Sequence, residues 1–122
     1  MNTKRILRTI PATLAATVLA GMMLAGPAHA STTAPSIQYG STGRGVECVQ
    51  ITLNLALSAH LTVDGQDGPL TTAEVKVFQS DFKLKPDGIV GPLTGTAMIN
   101  YLWSIGYGFD ATPCYPYIPT TS

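Results

Sequence analysis

From Val46 the apolar residues Val49, Leu53, Ala56 and Leu57 recur at helical spacing, predicting one amphipathic helix that ends near His60. Ile51 and Leu55 widen its stripe, so this helix is expected to be largely enclosed. Val75, Phe78 and Phe82 keep the same period and predict a second helix that ends before Pro86, with Glu74, Lys76 and Asp81 turned to water. Met98, Tyr101, Leu102 and Ile105 make a third. No stretch alternates in the way a half-buried strand requires, so the fold class is all-α. Ser31 to Tyr39 is small, polar and proline-containing and reads as a flexible N-terminal arm, with order expected from about Gly40. Gly106 to Ser122 holds three prolines and three tyrosines without periodicity, which predicts an irregular tail.

The phrase Asp-Gly-x-x-Gly-Pro-Leu-Thr occurs at Asp64 to Thr71 and again at Asp87 to Thr94, each time just before a helical run. A phrase repeated in that position indicates a duplicated loop-helix unit. Gly65 and Gly88 suit positive backbone φ, and the carboxylates of Asp64 and Asp87 can turn back onto nearby N–H groups, so both corners read as turns. Pro69 and Pro92 restrict the approach to each helix, and Thr71 and Thr94 are the expected N-caps. Glu74 would complete a capping box with Thr71; Ala97 stands at the matching place in the second copy, so the last helix is expected to start more weakly.

Residues 1–30 have the layout of a secretory signal: basic Lys4, Arg5 and Arg8, an apolar stretch from Ile10 to Ala25, and Ala28-His29-Ala30 as a cleavage site. No cysteine follows Leu24-Ala25-Gly26, so no lipid anchor is expected, and the remainder reads as a released chain with no membrane anchor. Without this leader, four basic residues stand against seven acidic ones, a formal charge of minus three. That balance argues against nucleic acid or an anionic membrane as partner, since both select basic surfaces. The core available to such a short chain is modest, and a covalent staple would help it. Cys48 and Cys114 both lie in the exported part, where pairing is the simplest outcome and two free thiols the alternative. A bond between them would fasten the tail across the helices.

Three segments in order resemble the peptidoglycan-binding-domain-like family. The first runs from Gly40 through Gly43-Arg44-Gly45-Val46 to Val49-Gln50, followed by Leu53 and Asn54. The second is Val63-Asp64-Gly65 with Gly68, Thr71, Val75 and Phe78-Gln79, and the third is Pro86-Asp87-Gly88-Ile89-Val90-Gly91-Pro92 with Thr94. The resemblance covers Gly40 to about Trp103 and implies a three-helix orthogonal bundle over residues 40–105; residues 106–122, read as a tail pinned by Cys114, lie outside the family's common core. One departure stands out: the family's third helix commonly opens Thr-Trp, whereas Thr94 here precedes Gly95, a poor helix former.

What the resemblance implies is noncatalytic attachment to bacterial cell-wall peptidoglycan, with no cofactor expected. The leader and the single module lead to the expectation of a stand-alone secreted protein, although the family's module is usually fused to a wall hydrolase. The alternative is a protein-protein module on the same scaffold, binding an exported wall enzyme or envelope partner through its tyrosine-rich tail. Catalytic readings are poorly supplied. Zinc hydrolysis calls for about three protein ligands, and His60 is the one histidine outside the leader. Cys48 with His60 would lose its nucleophile to a disulfide. Asp64 and Asp87 occupy turn positions that explain them without glycoside cleavage, and Asp64, Asp67 and Asp87 lack the ligand spacing of a calcium loop. For sugar or peptide contact, Trp103, Tyr101, Tyr107, Tyr115 and Tyr117 are the candidate flat faces, with Arg44, Gln66, Asp67 and Asp87 as polar partners. Phe78 and Tyr101 are expected in the core, and Gln50 and Gln79 to satisfy buried backbone groups. The loop residues and Trp103 are therefore the preferred contacts.

Overall fold

The computed structural model describes residues 33–107 and 114–121. The secretory leader expected over residues 1–30, with its expected cleavage site, lies outside these, as does Asp110. Among the described residues three α-helices follow one another, α1 (Arg44–Leu57), α2 (Pro69–Asp81) and α3 (Pro92–Ser104), and a 3₁₀ turn follows at Tyr115–Tyr117. The helix α1 packs on α2, on α3 and on the 3₁₀ turn, and is thus the central element of an all-α bundle. Among the described residues there are isolated β-bridges, such as Ile37 with Val90 and Thr42 with Gln66, but no named strand.

Val46, Val49 and Leu53 of α1 meet Val75 and Phe78 of α2 and Met98, Ile99 and Leu102 of α3 in a single buried cluster. The predicted stripe of α1 is too wide: Leu55 is exposed and Ile51 only half-buried. Ile105, expected inside, is also exposed, and Tyr101 is half-buried with its hydroxyl donating to the Leu55 carbonyl at 3.1 Å. Helical periodicity identifies a face, whereas the neighbour that covers it decides where the face ends.

The helix starts are built from glycine and proline. The N-caps of α2 and α3 are Gly68 and Gly91, with backbone angles of −96°, −168° and −95°, −167°, and Pro69 and Pro92 occupy the first helical position. Proline suits that position because its missing N–H would have no helical partner there. Thr71 and Thr94 are therefore inside their helices rather than capping them, and neither start has a side-chain cap. The capping box with Glu74 does not form, and the matched cap angles remove the basis for expecting a weaker third helix.

The helix ends are equally local. Ser58 takes a left-handed conformation and stops α1 at Leu57, short of His60. Asn54 then clamps the outgoing chain: its Nδ2 donates to the Leu61 carbonyl at 2.9 Å and its Oδ1 accepts from the Leu61 N–H at 2.7 Å. At α2, Lys83 is left-handed with φ 62°, its N–H bonds the Ser80 carbonyl and that of Leu84 bonds Gln79, which is a Schellman ending before Pro86. Phe82 is thereby left at the rim, partly exposed and stacked on Phe78 with ring centres 4.1 Å apart.

Order begins before Gly40. Ile37 is buried and exchanges backbone hydrogen bonds with Val90 at 3.1 and 2.7 Å. The C-terminal segment is likewise packed: Cys114, Tyr115 and Ile118 are buried, and Cys48 and Cys114 form a disulfide spanning 66 positions. Closing a loop of that length contributes about 4 kcal/mol in the chain-entropy account.

Candidate functional site

Each Asp-Gly corner is read by a buried glutamine on the preceding helix. Gln50 of α1 places its Nε2 within reach of three oxygens, Asp64 Oδ1 at 3.0 Å, the Gln66 carbonyl at 3.1 Å and Thr71 Oγ1 at 3.1 Å. Its Oε1 accepts from the Asp64 and Gly65 N–H groups, both at 3.0 Å. Gln79 of α2 repeats the arrangement, with Nε2 at 3.0 Å from Asp87 Oδ1, the Ile89 carbonyl and Thr94 Oγ1, and Oε1 accepting from Gly88 N–H at 2.9 Å. The expected role of both glutamines is thus seen bond by bond, and the buried threonine hydroxyls serve them as acceptors. Gly65 and Gly88 hold φ of 73° and 79°, the left-handed region that a side chain disfavours.

The same bonds decide the electrostatics. The Gln50 side chain and then the Gln66 N–H hold the Asp64 carboxyl below its ordinary range. The Ile89 N–H does most to lower Asp87, opposed by burial and assisted by Gln79 and Lys85. Asp67 is shifted the other way, because burial disfavours its charge while a bond from Thr72 Oγ1 at 2.7 Å offsets this only in part. Its Oδ2 is buried without a hydrogen-bond partner. At the matching place in the second copy stands Val90, fully buried, so Asp67 occupies what is a core position in its duplicate.

Two grooves open where the corners meet the helix starts. The first, a cavity of about 320 Å³, is lined by His60, Leu61, Gln66, Leu70, Glu74 and Asp64 among others. The second, of about 220 Å³, is lined by Leu84, Lys85, Asp87, Ile89, Leu93 and Thr94 among others. Matching residues of the two copies line both, and Leu70 and Leu93 stand 75% and 69% exposed at the lips. The grooves differ in character: Gln66 of the first is Ile89 in the second.

Of the expected contact residues, Gln66 lines the first groove and Asp87 the second. Asp67 is buried, Arg44 pairs with Glu47 at 2.7 Å at the start of α1, and Trp103 stacks on Tyr115 with ring centres 5.4 Å apart; none of these three is in either groove. Tyr115 itself is turned inward, whereas Tyr117 is partly exposed. His60, Leu61 and Leu70 are groove residues that the sequence reading did not single out for contact. The repeated Pro-Leu pair was a visible signal for Leu70 alone. Among the described residues, no group of three or more His, Cys, Asp or Glu is placed to hold a metal ion, and no helix is long and apolar enough to cross a membrane.

Residues 42–98 match the family model described as putative peptidoglycan binding domain. The chain carries a domain of the peptidoglycan-binding-domain-like family. This domain is similar in structure to the N-terminal domain of SleB, with a TM-score of 0.55 and 28% identity, covering 58% of this chain and 97% of that one. It is also similar to a peptidoglycan-binding protein from Clostridioides difficile solved with glutamine hydroxamate, with a TM-score of 0.51 and 37% identity over 56% of this chain and 42% of that one. In sequence, an uncharacterized protein in the bpoA1 3′ region of Kitasatospora aureofaciens is 44% identical over 78 residues, 62% of this chain and 64% of that protein. A zinc D-Ala-D-Ala carboxypeptidase of Streptomyces albus G is 43% identical over 61 residues, 48% of this chain and 24% of the enzyme. The chain therefore spans less than two thirds of the length of either curated relative.

Proposed function

We propose that this protein is a noncatalytic, secreted peptidoglycan-binding protein whose peptidoglycan-binding domain grips the wall through the groove beside the first Asp-Gly corner. The observation that carries this is the pairing, in one cavity of about 320 Å³, of an exposed apolar lip at Leu70 with the polar groups of Gln66, His60 and Glu74. Wall polymers present apolar ring faces and acyl groups beside hydroxyls and amides, and a groove binds such a surface by meeting both. Gln50 holds the floor of the groove rigid from beneath, so little ordering is needed when ligand arrives. The second groove, with Ile89 and Leu93, provides a smaller, more apolar contact with Asp87 at its margin.

Sedimentation with purified sacculi tests this reading. Saturable retention is expected, with no soluble muropeptide released, and Gln66→Ala should weaken it. Retention lost in Trp103→Ala but kept in Gln66→Ala would move the contact to the Trp103 face. Failure to sediment, together with capture of a defined exported enzyme, would support a protein-protein module instead.

A further inference from the structure

The N-terminal parts of the three helices form a repeated seat, and the third is filled by the tail. In the register set by Gln50 and Gln79, Gly43, the N-cap of α1, and Glu47 within it correspond to Thr72 and Lys76 of α2. Gly65 of the first corner sits on the former pair, where an added Cβ would come within 3.3 Å of both the Gly43 carbonyl oxygen and Glu47 Cγ. Gly88 of the second corner sits on the latter, with an added Cβ 3.1 Å from Thr72 Cγ2 and from Lys76 Cε. The two corners thus press on equivalent places.

In the register of the two Asp-Gly phrases, the next such place is Gly95 with Ile99 on α3. There the visitor is Ile118-Pro119. A Cβ added to Gly95 would lie 1.7 Å from the Pro119 carbonyl oxygen and 3.0 Å from Ile118 Cγ2, so the tail needs a glycine beneath it. The residue in register with the two reading glutamines is Leu102, fully buried and unable to read a polar corner, which fits an apolar visitor such as the buried Ile118. Thr121 N–H bonds Thr96 Oγ1 at 3.0 Å, and Tyr115 stacks on Trp103. Cys114 is tied to Cys48 of α1. The Gly95 that departs from the family's usual pattern is thereby explained by what lies on it.

We propose that residues 114–121 are a strap that occupies the third seat in place of a third corner, and that the Cys48–Cys114 disulfide is its latch. With the latch open, the seat on α3 accepts an extended segment of the tail's own sequence supplied in trans. A dithiol opens it by exchange: one thiolate attacks a cystine sulfur and the second thiol resolves the mixed disulfide. The dithiol leaves as a cyclic disulfide, and Cys48 and Cys114 take up two electrons and two protons as thiols.

The test uses the full chain and a labelled synthetic peptide of residues 114–121 with serine in place of cysteine. The oxidised protein should bind it at least about tenfold more weakly than the dithiol-reduced protein or the Cys48→Ser/Cys114→Ser variant. Adding Gly95→Ala to that variant should abolish binding. Hydrogen exchange at the Thr121 amide should rise about tenfold on reduction while the amides of Val75 and Gln79 stay protected. Gly95→Ala in the oxidised protein should release Thr121 in the same selective way. Equal protection of Thr121 in both redox states, collapse of protection throughout α1 and α2 on reduction, or peptide binding indifferent to Gly95→Ala would each overturn the proposal.

Discussion

The Gln79 carboxamide nitrogen lies 3.0 Å from the Asp87 carboxylate, reproducing the bond that joins Gln50 to Asp64 at the same distance. α1 and α2 thus each carry the residue that shapes the corner after it, and the shaped corner then launches the next helix through Gly-Pro. The pattern runs along the chain: α1 reads the first corner and α2 the second.

Gln50→Ala and Gln79→Ala should each cost about 3 kcal/mol, because several buried donors and acceptors lose their partners at once. Denaturant unfolding measures this. The Gln50 variant should be the weaker of the two, as its Oε1 serves two N–H groups where that of Gln79 serves one. Losses below about 0.5 kcal/mol would mean that the corners form without being read.

Acid should unfold the domain from the corners. Asp64 and Asp87 have lowered folded pKa values, so the stability they contribute is present above the ordinary carboxylate pKa of 3.8 and is lost as pH falls through the folded values. Asp67, raised by burial, works in the opposite sense and is relieved as it protonates. Asp67→Asn removes that relief, so its stability should fall more steeply than wild type between neutral pH and the acid limit. A shallower fall in urea midpoints across that range would contradict the assignment.

Leu70→Ser should weaken sacculus retention by about fivefold to tenfold while leaving the thermal midpoint nearly unchanged, because an exposed lip contributes to binding and not to folding. Leu93→Ser, at the smaller groove, should have the lesser effect. Pelleting curves for the two variants, run beside melting curves, check both halves of the statement.

Asn54→Ala should cost about 2 kcal/mol, since it removes the acceptor for the Leu61 N–H and the donor for the Leu61 carbonyl together. Its effect should extend to the first groove, which Leu61 lines, and appear as faster amide exchange at Leu61.

Much of this molecule was legible without coordinates. The helical period of Val46, Val49 and Leu53, of Val75 and Phe78, and of Met98 and Leu102 located three helices and most of the core, because burial on one face imposes that spacing. The doubled Asp-Gly phrase located two matching turns, because glycine and a short carboxylate satisfy a tight corner locally. The cap residues were misplaced: threonine is a good cap in isolation, but here Gly68 and Gly91 with their prolines start the helices and leave the threonines to the glutamines.

By itself the sequence determined what depends on neighbours along the chain, namely helix period, turn chemistry and the even pair of cysteines. The tertiary structure decided what depends on neighbours across it. Ile37 is ordered because Val90 offers it a bridge, Asp67 is held inside at the cost of an unpaired oxygen, and Gly95 is required because Pro119 lies against it. A side chain's partner far along the chain leaves no periodic trace, so the grooves and the seat of the tail became visible only when the helices were brought together.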